Sequence, residues 1–304
     1  MSDLTDKELI EELKKRFEQN KDALNEVQDL NKELIQVNKK LEDSEALKSH
    51  FISNITNEII NPFASILALS KNILSVDKEN WKKVFSMVSL IYSEAFNLDY
   101  QLRNIFVAAK LEAGEIFPEI LNVDVKHVIE SVIESFKYET KKKKLEVQFN
   151  FNIDVEGKPF FFKIDPEKLK LVISNLMSNA IKFSNENGKI NIEASLDKNN
   201  FIVCVKDFGV GISLENQKII FDRFKKLDSG INSIHRGHGL GLSINKALLD
   251  LLNGSIDIQS ELEKGACFTI SIPENESQVS GFAFDGNDVF FDNDESFDNE
   301  SETF

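Results

Sequence analysis

The sequence predicts an α+β chain, with a long helical region leading into an α/β sandwich. Three observations carry that expectation: an apolar heptad from Ile10 to Ile73, a second stretch of apolar residues at alternating spacings of four and three, and later strand-like runs punctuated by glycine clusters. At 304 residues with 41% hydrophobic content, the chain has material for one compact domain plus extended helices.

Residues 1–48 read as a charged coiled coil. Ile10, Phe17 and Leu24 fall at a, with Leu13, Val27, Leu34 and Leu41 at d; the same frame continues through Ile52, Ile55, Ile59, Ile66, Leu69 and Ile73. Asn20, Asn31 and Asn38 occupy core positions, where an amide fixes register at a cost in stability. Glu45 and Lys48 also fall in the core register, a weak joint that either passes a twist or simply frays. Residues 49–113 are expected to form an antiparallel helical hairpin with a turn near Val76-Asp77-Lys78. Its second helix, about 79–112, carries Val84, Val88, Ile91, Ala95, Leu98, Leu102, Ile105 and Ala109. Two hairpins make a four-helix bundle, so a homodimer is expected.

Leu111-Glu-Ala-Gly114 ends that helix and opens the domain 114–272, read as a mixed sheet with helices over one face. Asp165 as N-cap and Pro166 as first helical residue start a helix through Leu169, Val172, Ile173, Leu176 and Ile181. Asn175 and Asn179 lie one turn apart on it and Lys182 follows, so the three share a face. Two neutral oxygen ligands and one cation suit a Mg²⁺-triphosphate. The run Phe201-Ile-Val-Cys-Val205 reads as a buried strand that delivers Asp207 to its end, where a carboxylate can accept from an exocyclic amine such as that of adenine. Gly209 and Gly211 would let backbone approach a flat ring, and Gly237, Gly239 and Gly241 would open a helix at about 238–253 whose free N–H groups suit phosphate. Two ordinary glycine turns are the alternative reading of those clusters.

At these residues the chain resembles the sensor histidine kinases of two-component signalling. Asn175-Leu-Met-Ser-Asn179-Ala-Ile-Lys182-Phe183-Ser looks like the N box, Asp207-Phe-Gly209-Val-Gly211-Ile the first glycine box, Phe221-Asp-Arg-Phe224 the F box, and Gly237-His-Gly239-Leu240-Gly241-Leu the second glycine box. The resemblance implies a Bergerat-type ATP-binding domain in which Asp207 holds adenine, Asn175 and Asn179 serve Mg²⁺, and Lys182 with the 237–241 turn holds phosphates. Residues 212–236 would then be the ATP lid. Chaperone-type relatives carry a glutamate at the Asn175 position to activate water; an amide cannot serve as that base, so slow hydrolysis is expected.

The family's phosphoacceptor histidine has Asn57 in its place, within Thr56-Asn57-Glu58-Ile59-Ile60-Asn61-Pro62-Phe63. An amide nitrogen is delocalised and not a useful nucleophile, so autophosphorylation is expected to be lost. His50, two turns upstream on the same outward f position and about 10 Å away along the axis, is the nearest alternative acceptor or else a solvated surface histidine. Glu58 and Asn61 keep the pattern that, by the resemblance, supports dephosphorylation of a response regulator receiver domain; a plain polar helix surface is the other reading. The expected protein is a cytoplasmic, Mg-ATP-binding homodimer acting on a response regulator or a partner histidine kinase. The alternatives are an active kinase working on another chain or on His50, and an ATP-gated scaffold.

The remaining composition sets limits. Residues 273–304 carry ten Asp or Glu, six Phe and no Lys or Arg, and are expected to be a disordered acidic tail that either docks into a basic or apolar groove or only solubilises. No apolar run is long enough to span a bilayer, and the acidic start lacks the features of a signal peptide. Lys141–Lys144 read as a solvated helix end, so no nucleic-acid partner is expected. Cys204 and Cys267 read as buried free thiols, and His235 and His238 lack the company of a metal site.

Overall fold

The computed structural model describes residues 6–76, 80–153, 159–221, 239–276, 281–283 and 289–291. It divides into two compact units, Met1–Asn57 and Glu58–Phe304. Helix α1 (Asp6–Leu74) runs without a break, with Pro62 inside it. Within the first unit Ile10, Phe17, Leu24, Val27 and Leu34 are all exposed along the single chain. Such an apolar row is what the heptad provides for an opposing helix.

In the second unit α2 (Trp81–Ala113) ends at Gly114, which adopts φ 68° and donates to Leu111 O while Glu115 donates to Lys110 O. The fully buried residues of α2 are polar, Ser93 and Asn104. The apolar row predicted for this helix is only partly covered, with Val88, Ala95 and Ala109 exposed. The helix therefore has two faces, and the one it packs against the rest of the unit mixes the polar Ser93 and Asn104 with the aromatic Phe96 and Tyr100.

A five-stranded mixed sheet lies beyond it, in the order β2 (Glu146–Asn152), β4 (Lys189–Asp197), β5 (Asn200–Asp207), β7 (Gly265–Pro273) and β6 (Ser255–Glu261). Only the β2–β4 pair is parallel. Alternate residues of these strands are buried: Ile190, Ile192 and Ala194 on β4, Phe201, Val203 and Val205 on β5, Phe268, Ile270 and Ile272 on β7. Helices α5 (Pro166–Phe183) and α7 (Gly241–Leu251) pack on that face, and α3 (Val125–Ser135) packs against α5 and strand β1 (Leu121–Asp124). Burying one such aliphatic side chain contributes about 1.5–3 kcal/mol, so this single layer of helices on sheet dominates the stability of the unit. Two short helices, α4 (Lys137–Lys142) and α6 (Leu214–Gln217), complete the helical set among the described residues.

Three expectations need correction. Cys204 and Cys267 are joined as a disulfide, with Cα atoms 6.5 Å apart on neighbouring strands, rather than remaining free. Strand alternation puts both on the face opposite the helices, where they are half-buried, and the β5–β7 pairing makes them diagonal neighbours. Lys143 does not end in solvent: its ammonium donates to Ile181 O, Lys182 O and Ser184 O at 2.8–2.9 Å, filling the open carbonyls at the end of α5. Burial lowers its pKa, and the charge of Glu186 pushes the other way. Finally, parts of the acidic tail are ordered. Strands β8 (Gly281–Ala283) and β9 (Val289–Phe291) extend a second sheet in the order β3 (Phe161–Ile164), β1 (Leu121–Asp124), β8, β9. An edge of β1 leaves backbone groups to be paired, and composition does not reveal where a chain will find such an edge.

Candidate functional site

The site is assembled from the ends of α5, β5 and α7. Asp165 caps α5 as predicted: its Oδ1 accepts from Lys168 N at 2.9 Å and its Oδ2 from Glu119 N at 2.7 Å. The apolar row of α5 then faces the sheet and directs Asn175 into the protein, where only 1% of its surface is exposed. Asn175 Nδ2 donates to Asn245 Oδ1 at 2.8 Å and to Gly241 O at 3.2 Å. Asn245, itself fully buried, returns a bond from Nδ2 to Val172 O at 3.0 Å. The remaining polar atom, Asn175 Oδ1, accepts from the Tyr100 hydroxyl at 2.6 Å. Asn179 and Lys182, the other members of the predicted face, are half-buried, and the Lys182 ammonium lies 5.0 Å from the Phe183 ring centroid.

Asp207 closes β5, and its Oδ1 accepts from Gly209 N at 3.0 Å and Ala266 N at 3.3 Å. Burial raises the pKa of this carboxyl, while the two N–H bonds oppose the shift. Both bonds end on Oδ1, so Oδ2 is the oxygen a donor from outside would meet. The adjacent Phe208 and Val210 side chains are exposed.

The glycines are also sites of close backbone contact. A Cβ on Gly209 would fall 1.9 Å from Phe183 O, and one on Gly211, at φ +67°, would fall 2.0 Å from Glu261 O. Protein backbone passes over both positions, so neither accommodates a side chain. Gly265 is a third member that spacing did not reveal: at φ +85° its Cβ would lie 2.1 Å from Asp207 O. The last helix also starts later than expected, at Gly241 instead of near 238, with Gly239 at φ +69° before it. Leu240 offers no side-chain cap, so the first N–H groups of α7 remain for other acceptors. Phe221 closes a described segment and is half-buried; Phe224, Gly237, His235 and His238 lie outside the described residues. Asn57 and Glu58 fall within α1, but their side chains and that of His50 lie outside the described ones, while Asn61 is exposed. Among the described residues no group of three or more His, Cys, Asp or Glu is placed to hold a metal ion.

The family described as "Histidine kinase-, DNA gyrase B-, and HSP90-like ATPase" matches residues 164–276, the segment that contains these contacts apart from those made by Glu119 and Tyr100. Hybrid signal transduction histidine kinase D of Dictyostelium discoideum is 29% identical over 82% of this chain and 16% of its own length. Signal transduction histidine-protein kinase BarA of Escherichia coli K12 is 28% identical over 83% of this chain and 27% of its own. These matches support the sensor histidine kinase family for this chain. Its fold is also that of the solved histidine kinase ShkA in complex with AMPPNP, with TM-score 0.53 and 21% identity over 77% of this chain and 47% of that one. The chain spans about a sixth to a quarter of the length of these two curated relatives. No helix among its described residues is long and apolar enough to cross a membrane.

Sequence reasoning missed Tyr100, Asn245, Gly265 and Lys143. Tyr100 leaves one trace: Ser93, Phe96, Tyr100 and Asn104 follow at three- and four-residue spacings, a second stripe beside the apolar one. The Gly265 contact makes a direct prediction. Gly265→Ala should cost at least about 2 kcal/mol, because the methyl group displaces the Asp207 backbone, while Gly114→Ala, with a similar φ but open space around it, should cost about 1 kcal/mol. Urea unfolding of both variants checks the difference; equal losses would mean that φ alone matters.

Proposed function

We propose that this chain is a Mg-ATP-binding histidine kinase homologue that has lost its phosphoacceptor and acts, as a homodimer through the 49–113 hairpin, on a response regulator or a partner kinase. The observation that carries the nucleotide part is the Asp207 carboxylate, buried at a strand end with Oδ1 fixed by Gly209 N and Ala266 N. Adenine presents an amino donor, and a carboxylate already pinned at one oxygen meets it without reorganising. The donor set fits the rest of a nucleotide: the uncapped N–H groups at the start of α7 and the Lys182 ammonium suit phosphate, and the Asn175 and Asn179 amides supply neutral oxygens for Mg²⁺. When bound, Mg²⁺ would neutralise phosphate charge. The protein's own part is to orient the ring at Asp207 and to exclude a carboxylate base from the Asn175 position, which disfavours activation of water.

Asn57 supports the loss of self-phosphorylation, since an amide nitrogen is not a nucleophile that could take a phosphoryl group. The exposed Asn61, one turn further along α1, supports the regulator reading: an acyl phosphate is already activated, and a positioned water suffices for its attack. Homodimerisation is supported by the exposed apolar residues of the hairpin, among them Ile60, Phe63, Leu67, Phe85 and Val88.

Calorimetric titration should show ATP binding that needs Mg²⁺ for full strength, with Asp207→Asn weakening it by about five- to a hundredfold. Because burial raises the Asp207 pKa and the carboxylate is the form that accepts, wild-type affinity should hold at neutral pH. It should fall on acidification at a higher pH than an ordinary aspartate would produce, and this step should be missing from Asp207→Asn. Incubation with labelled ATP should leave no acid-labile phosphoryl group on the wild type, whereas Asn57→His introduces one; labelling of the wild type that His50→Ala abolishes would reassign the acceptor. On a phosphorylated receiver domain, the wild type should accelerate dephosphorylation and Asn61→Ala should lose most of that effect at equal occupancy. Identical decay curves for the two would reduce Asn61 to a surface residue.

A further inference from the structure

Tyr100 stands outside the matched nucleotide-binding segment and yet reaches into its centre. The hydroxyl of this α2 residue donates to Asn175 Oδ1 at 2.6 Å, while the amide end of Asn175 is committed to Asn245 and Gly241. Asn175 thereby makes three hydrogen bonds, one of them on Oδ1, and with 1% of its surface exposed the second lone pair of that oxygen is closed off by packing. The same Oδ1 is the atom that a divalent cation would need, since the Nδ2 end is a donor and cannot ligate.

We infer that Tyr100 is a gate on the metal-nucleotide site: with α2 docked, its hydroxyl holds the Asn175 oxygen and excludes Mg²⁺ from it, so docking of α2 and Mg-ATP loading compete. The inference rests on the nucleotide reading above and names a residue that controls that same site.

The interface around Tyr100 is composed to separate. Its adhesive part is aromatic: Phe96 meets Phe136 edge to face at 5.2 Å, and Tyr100 meets the same ring at 6.1 Å. Against this stand polar atoms that docking strips of water. Ser93 Oγ makes a long bond of 3.3 Å to Glu139 Oε1, while Glu139 Oε2 and Asn104 Oδ1 are buried without a hydrogen-bond partner among the described residues. Water would satisfy both on release. An interface meant to be permanent would bury apolar groups there; one that must open keeps acceptors whose rehydration favours opening. The tyrosine is also restricted to its blocking role. Burial pushes its pKa up to about 12, so the phenol remains a donor and does not become an anionic ligand.

The test uses the full chain, titrated with ATP in Mg²⁺ and, separately, in EDTA, as wild type, Tyr100→Phe and Phe96→Ala. The first variant removes the competing hydroxyl with little change of shape, and the second loosens α2 without touching Asn175. Both should bind Mg-ATP tighter than wild type, by about two- to tenfold for the loss of one hydrogen bond, with ATP affinity in EDTA nearly unchanged. Mg-ATP affinity equal to wild type in both variants, or an equal gain with and without Mg²⁺, would overturn the gate while leaving nucleotide binding intact. Absence of ATP binding by the wild type and both variants would bring down the nucleotide reading itself, and the gate with it.

Discussion

A single buried amide holds the site together. Asn175 is enclosed between α5, α7 and α2, and a primary amide in that position must satisfy a donor end and an acceptor end at once. Its donors cross to Asn245 and to the Gly241 carbonyl, which ties the first turn of α7 to the middle of α5. The Asn245 bond back to Val172 O makes that tie reciprocal. The close approach of Gly241, with Asn175 Cγ 3.5 Å from where a Cβ would stand, follows from the same pairing. Spacing between two helices, and hence the position of the α7 N–H groups, is therefore set by hydrogen bonds whose geometry tolerates little drift.

A second constraint is backbone laid on backbone. Gly209, Gly211 and Gly265 each lie where a side chain would collide with a carbonyl of another segment, of Phe183, Glu261 and Asp207 respectively. These three contacts lock the end of α5 and the β6–β7 turn onto the strand end that bears Asp207. Lys143 reinforces the first of them by filling the open carbonyls after α5 with three donors. The carboxylate is accordingly presented from a framework with few soft dihedrals, the condition for a donor-acceptor pair to discriminate among ligands.

Helix α2 joins this framework by a balance instead of a lock. Its aromatic contacts favour docking, and its dehydrated acceptors oppose it, so the difference is small compared with either. The sheet core, by contrast, gains from every buried side chain. Movement in such a molecule concentrates where the terms nearly cancel.

The elements that rest on periodicity and local chemistry were legible in the sequence: α1, α2, the Asp165-capped α5, β5 delivering Asp207, and a mixed sheet with helices over one face. Each is encoded by neighbours in the chain, through heptads, a capping carboxylate or strand alternation. The Cys204–Cys267 bond, the burial of Lys143, the tail strand beside β1, the need for Gly265 and the contact of Tyr100 with Asn175 were not legible. In each of these cases the cause lies in a residue distant in sequence, so only the tertiary structure could decide it. Sequence alone determined the amphipathic faces and the order of the elements; packing decided which oxygen faces which hydroxyl, because a hydrogen bond depends on ångströms that no spacing along the chain records.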